Sequence, residues 1–264
     1  MYEFDYHSPK TLDDAVKLFS DADDPQFIAG GQTLLPVMKQ RLAMPSDVID
    51  LGGIADLKGI SLDGKILTIG AMTPHAEVAA SGVVKKAIPA LAYLANEIGD
   101  PPVRNRGTLG GSISNNDPAA DYPGALVGLG ATVHTTKREI ASDDFFTGLF
   151  ETTLEEGELV IKVSFPVPEK AAYVKLAQPA SRFALVGVFV AVMPDGPRVA
   201  VAGAGPCVFR ASEMEKALAK SFTADALDGV SVSSDGLNND LHASADYRAH
   251  LVGVLAKRAV ANAS

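Results

Sequence analysis

The chain has 264 residues, 47% of them hydrophobic and 21% charged, and a formal net charge of −9. That length allows one large domain or two medium ones, and the composition is that of a globular protein in water. The acidic balance excludes a nucleic-acid scaffold, because phosphate backbones need a basic surface, and no apolar run reaches the roughly 18 residues of a membrane-spanning helix.

A single cysteine, Cys207, makes no internal disulfide and holds no iron–sulfur cluster. With an acidic N-terminus that lacks an apolar signal segment, it predicts a cytoplasmic protein.

Thr11-Leu12-Asp13-Asp14 reads as a capped helix start, Gln26 to Ala29 as a short buried strand, and Leu34 to Leu42 as helical despite Pro36. Val48 to Leu51 predicts a further strand, and Gly59 to Ile69 a hairpin around Asp63-Gly64. Thr73-Pro74 reads as an N-cap and first-turn proline before His75 to Ala80. Val83 to Ile98 predicts helix broken at Pro89, and Ala119 to Leu129 another helix. Ala131 to Thr136 and Leu159 to Phe165 predict strands, and Pro166-Val167-Pro168 a domain boundary. Beyond it, Tyr173 to Ala177, Phe183 to Met193 and Arg198 to Gly203 predict strands, with helices over Glu213 to Lys220 and Tyr247 to Ala261. The sum is an α+β protein: a larger mixed region, then a smaller sheet with helices on one face.

Two glycine-rich segments carry the chemistry, Ala29-Gly30-Gly31-Gln32-Thr33 and Thr108-Leu109-Gly110-Gly111-Ser112. Paired glycines let a backbone turn sharply and expose its N–H groups, and an adjacent hydroxyl completes a seat for a phosphate oxygen. Each segment alone reads equally well as a tight turn without a ligand; together they point to a diphosphate held from two sides. Neither matches G-x-G-x-x-G or a P-loop.

The stretch from Arg104 to Asp121 is dense in polar side chains that need partners if buried. Capping a helix N-terminus is the alternative for both aspartates: Asp121 better suits ribose or ribityl hydroxyls, and Asp117, before Pro118, better fits the cap. Arg104 and Arg106 suit phosphates or structural ion pairs. The five histidines lack metal-ligand spacing, Cys207 reads as a packed thiol, and no nucleophile–base or paired-carboxylate arrangement stands out. The residues therefore describe a cofactor holder whose chemistry belongs to the cofactor.

Ile28 to Pro36, Arg104 to Ser112, Asp117 to Asp121, Gln178 to Ala184 and Asp246-Tyr247-Arg248 together resemble the FAD-binding medium subunit of the molybdenum hydroxylases, the family of carbon monoxide and xanthine dehydrogenases. The resemblance covers essentially the whole chain. It implies a two-part FAD-binding domain of the vanillyl-alcohol-oxidase (PCMH) type over residues 1–168, with subdomains of about 1–57 and 58–168, and a C-terminal α+β domain of the CO dehydrogenase flavoprotein type over 169–264.

By the same resemblance, Ile28, Ala29, Gly30, Gly31, Gln32, Thr33 and Leu34 would hold the FAD diphosphate from one side, and Thr108, Leu109, Gly110, Gly111 and Ser112 from the other. Asp117 and Asp121 would lie at the diphosphate or ribityl region, Ile98 and Leu159 against the flavin, and Lys175 near its ring. Phe183 stands where some relatives have tyrosine.

The implied role is electron relay. A large molybdenum-pterin subunit and a small iron–sulfur subunit with [2Fe-2S] clusters would be the partners, in a dimer of heterotrimers, with no metal in this chain. A free-standing flavin oxidoreductase and a non-catalytic nucleotide-binding assembly protein are the competing readings.

Overall fold

A computed structural model describes residues 1–264. The first region alternates β1 (Asp5–His7), α1 (Leu12–Asp21), β2 (Pro25–Ile28), α2 (Leu34–Lys39) and β3 (Asp47–Asp50). Its strands form a parallel sheet of order β1-β3-β2. Thr11 caps α1 by accepting from the Asp14 N–H, as its sequence predicts, and Phe19 of α1 stacks on Phe27 of β2 at 4.5 Å. Ala15, Ile49, Ile54 and Leu57 form a small core that also takes in Met72 and Leu159 from further along the chain.

The second region begins with the predicted hairpin, β4 (Ile60–Asp63) and β5 (Ile66–Gly70), turning at Gly64-Lys65, one residue later than expected. Six helices follow: α3 (His75–Ala80), α4 (Gly82–Ala87), α5 (Pro89–Glu97), α6 (Pro101–Arg106), α7 (Leu109–Asn115) and α8 (Tyr122–Leu129). Then come β6 (Thr132–Thr135), β7 (Glu139–Ala141), α9 (Ser142–Phe145), the small hairpin β8 (Phe146–Gly148) and β9 (Glu151–Thr152), and β10 (Val160–Pro166). β4-β5-β10-β6-β7 form an antiparallel sheet.

Two helix starts differ from expectation. Thr73 does not cap α3; its hydroxyl pairs with the Gly59 backbone instead, and Pro74 takes the cap position. α8 starts at Tyr122, not Ala119, because the Asp117 carboxylate accepts from the Ala119 N–H and closes a turn there. Every residue of α8 is buried, as suits a helix apolar on all sides.

The third region is a meander of β11 (Lys170–Ala177), β12 (Ala184–Met193), β13 (Gly196–Ala202) and β14 (Phe209–Arg210), with α10 (Ser212–Lys220) and α11 (Ala245–Asn262). β12 is the central β-branched run, and alternate residues face opposite ways. Val186, Val188 and Val190 pack under α10 and α11, while Phe189, Ala191 and Met193 join Leu91, Leu126 and Phe165 in the largest core of the molecule. That core runs across Pro166-Val167-Pro168, so the third sheet is fused to the second region by packed apolar side chains.

Candidate functional site: a cleft between two glycine segments

A cleft of about 540 Å³ opens between the first two regions. One wall is the β2–α2 connection. All seven residues from Ile28 to Leu34 line it. Gly31 adopts φ +72°, in the left-handed region that glycine tolerates, and a Cβ on Gly30 would stand 2.0 Å from the Arg106 carbonyl oxygen. No hydrogen bond inside the chain engages the N–H groups of Gly30, Gly31, Gln32, Thr33 or Leu34. Five consecutive unpaired donors at a cleft wall are the backbone of an anion seat.

The opposite segment corrects a sequence expectation. Thr108 to Ser112 is not a loop of exposed N–H groups but the N-cap and first turn of α7. Its donors are already taken: Leu109 donates to the Thr73 carbonyl, Gly110 to Ala71 (2.8 Å), Gly111 to the Thr108 hydroxyl and Ser112 to the Thr108 carbonyl. A Cβ on Gly110 would lie 2.6 Å from the Ala71 Cβ, so this glycine serves helix–strand approach. Thr108, Gly110, Gly111 and Ser112 do line the cleft, whereas Leu109 points into the core and is fully buried. What this wall offers is side chains: Ser112, Ser114 and Asn115 face the cleft and make no side-chain hydrogen bond within the chain. Ser114 and Asn115 carry no sequence signal of their own beyond the polar density of the stretch.

Ile98, Met72 and Leu159 supply an apolar wall, and Leu159 is pinned by a reciprocal pair of hydrogen bonds with Thr136. Asp117 and Asp121 both line the cleft. Asp121 is buried; the Tyr173 hydroxyl donates to its Oδ1, and Lys175 Nζ lies 2.9 Å from the same oxygen. Burial pushes the Asp121 carboxyl above its ordinary range, and the Lys175 ammonium and Tyr173 hydroxyl pull it back.

Lys175 itself does not reach the cleft wall. Its ammonium is held by Asp121 and by the carbonyls of Glu97 and Arg182. Arg104 donates to the carbonyls of Ile98 and Gly99, and Arg106 is exposed; neither makes an ion pair. Phe183, 47% exposed, stands at the cleft edge after a turn tied by the Gln178 side chain, which accepts from the Ala180 and Ser181 N–H groups. Cys207 lies outside the cleft, only half-buried, with its Sγ 3.6 Å from Asn116 Nδ2.

His75 lines the cleft as well, although its sequence marks it only as the start of a helix. It is 4% exposed, and burial together with the Arg104 charge pushes its imidazole down to about 4, so it is neutral at physiological pH.

The cleft therefore combines unpaired backbone donors, a polar side-chain wall, a buried carboxylate and an apolar face. Donors suit a diphosphate, the carboxylate suits hydroxyls, and the apolar face suits a planar ring. Comparison with known proteins agrees. Residues 2–168 match the family described as FAD binding domain in molybdopterin dehydrogenase. The chain belongs to this family.

Relatives of this FAD-binding family align along nearly the full chain. The carbon monoxide dehydrogenase medium chain of Hydrogenophaga pseudoflava is 33% identical, over 97% of this chain and 96% of that one. The nicotine 6-hydroxylase medium subunit of Paenarthrobacter nicotinovorans is 35% identical, over 98% and 96%. Among solved structures, reconstituted CO dehydrogenase from Oligotropha carboxidovorans superposes with a TM-score of 0.90 at 31% identity, covering 98% of this chain and 96% of its counterpart. The α+β PCMH-type fold and the oxidoreductase character read from the sequence both stand, with FAD as the cofactor of this chain. No helix is long and apolar enough to cross a membrane.

Proposed function

We propose that this chain is the FAD-carrying electron-transfer subunit of a cytoplasmic heteromeric molybdenum hydroxylase. It takes electrons from iron–sulfur clusters on a small partner subunit, fed by a large molybdenum-pterin subunit, and passes them to an external acceptor. The assembly is a dimer of heterotrimers, and within the chain residues 1–168 form the FAD-binding domain and 169–264 a second domain. The observation that carries this reading is the run of five unpaired N–H groups from Gly30 to Leu34 facing a cleft with an apolar far wall, in a chain of this family.

Bound FAD supplies reversible storage of two electrons. The chain supplies position and field. Gly30 to Leu34 hold the diphosphate, with Thr108, Gly110, Gly111 and Ser112 across from it. Asp121 accepts from hydroxyls, fixed by Tyr173 and Lys175, while Asp117 shapes the neighbouring turn. Ile98 and Leu159 exclude water from the ring face. Leu109 supports this wall from behind, and Lys175 acts through Asp121, not by touching the ring.

The test is co-purification. A tagged chain expressed with its neighbouring genes should bring down a large molybdenum-containing chain and a cysteine-rich small chain, with bound FAD extractable in stoichiometric amount. A chain that carries FAD yet purifies without partners overturns the relay and favours a free-standing flavoprotein. A chain without FAD overturns the site.

A further inference from the structure

Outside the two glycine segments, one buried polar side chain at the cleft has no partner. His75 is the first residue of α3, and its backbone N–H donates to the Gly107 carbonyl at 3.0 Å. Pro74 and Thr108 form an isolated antiparallel bridge beside it. The imidazole is thus fixed against the start of the second glycine segment. Of its two ring nitrogens, Nδ1 is sealed from solvent with no hydrogen-bond partner, and the ring packs on Tyr122 at 5.3 Å between centroids. Nε2 also has no partner within the chain, but it is not sealed.

Nε2 lies beside Gly107, where a Cβ would stand only 2.6 Å away. Gly107 follows Arg106, whose carbonyl is the atom that forbids a side chain on Gly30. His75 Nε2 therefore sits at the seam where the two glycine segments meet. Nδ1 is sealed away, so Nε2 is the ring nitrogen that a ligand in the cleft can engage, and a partner there offsets part of the cost of burying the imidazole.

Resting on the placement of FAD in this cleft, we propose that His75 is a cofactor-binding residue whose Nε2–H donates to an oxygen of the FAD diphosphate. A proton on Nε2 leaves Nδ1 as the acceptor, the tautomer this role requires. A neutral imidazole gives a directional hydrogen bond without adding a full buried charge beside Arg104, whose guanidinium is already engaged by the Ile98 and Gly99 carbonyls. Gly107 leaves room for this contact, since any side chain there would collide with the nitrogen.

The experiment strips FAD from the full-length chain and titrates FAD, then ADP, against wild type, His75→Gln and His75→Leu. Thermal unfolding of each stripped form is recorded beside the titrations. Leucine removes the donor and glutamine supplies an N–H near Nε2. The expected result is FAD affinity weakened about tenfold or more in His75→Leu, the loss of one buried hydrogen bond, with glutamine within about threefold of wild type. ADP, which carries the diphosphate without the flavin, should lose the same factor.

Wild-type affinity in His75→Leu overturns the proposal, as does equal weakening in both variants, which would make the role one of shape. Loss toward FAD alone moves the contact off the diphosphate and overturns it too. If His75→Leu does not fold, His75→Asn replaces it as the loss variant, because its amide reaches only the Nδ1 position; wild-type affinity there is equally fatal. Failure of the wild type to bind either nucleotide would instead remove the placement of FAD on which the proposal rests.

Discussion

Lys175 Nζ lies 2.9 Å from Asp121 Oδ1, and both side chains are almost wholly buried. The pair joins the third sheet to the start of α8 at the cleft. Removing one partner of such a pair leaves an uncompensated buried charge, which costs more than the pair contributes.

Lys175→Met should therefore destabilise the chain by about 3 kcal/mol or more, while Lys175→Met with Asp121→Asn should recover most of the loss. Denaturant titration of the two variants checks this. Equal stability of the single and double variants would show that Asp121 does not carry the cost.

Gly30→Val should abolish FAD retention, because its Cβ would sit 2.0 Å from a backbone oxygen that cannot swing aside. Gly111→Ala meets Thr108 Oγ1 at 3.1 Å and Ala29 Cβ at 3.3 Å and should retain FAD at reduced occupancy. The readout is the flavin-to-protein absorbance ratio after gel filtration.

Stability of the FAD-free chain should fall as pH drops from about 6.5 to 4. His75 titrates at about 4 in the folded chain and near 6.5 when unfolded, so in that window the unfolded state binds more protons. The contribution is complete above the unfolded value and is lost toward the folded one, at most about 3 kcal/mol for this group. His75→Gln should flatten that part of the stability–pH curve, measured by denaturant midpoints across the range.

Asn116→Ala should loosen the β8–β9 hairpin. Asn116 ends α7 at φ +43° and its buried amide donates to the Gly148 and Glu151 carbonyls at 2.8 and 2.7 Å. Losing both bonds and the left-handed preference of asparagine should cost about 2 kcal/mol, with new protease cleavage near Leu149-Phe150. Unchanged cleavage kinetics would dissociate the amide from the hairpin.

Much of this architecture was legible because strand and helix signals agreed with their neighbours. The β-branched runs at Val160 to Phe165 and Ala184 to Met193 form strands, Thr11 caps the helix it predicts, and the helix over Val83 to Ile98 breaks at Pro89 as expected. Segment 108–112 misled because Leu-Gly-Gly-Ser is a poor helix former, each glycine costing about 1 kcal/mol relative to alanine. Tertiary packing of Gly110 on Ala71, with the Thr108 cap, makes it a helix all the same. The engagement of Lys175 was invisible for another reason: Asp121, Glu97 and Arg182 are brought to it only by the folded chain.

α7 is anchored at both ends, by Gly110 on Ala71 and by Asn116 on the hairpin. The floor of the cleft thus arrives already shaped, and a ligand meeting it gives up little entropy there. The facing Gly30–Leu34 backbone, with no internal hydrogen bonds on its N–H groups, is the part left to tighten. Capture of the cofactor then resembles a jaw closing on a fixed anvil, and amide hydrogen exchange should slow on binding at residues 30–34 far more than at 109–112.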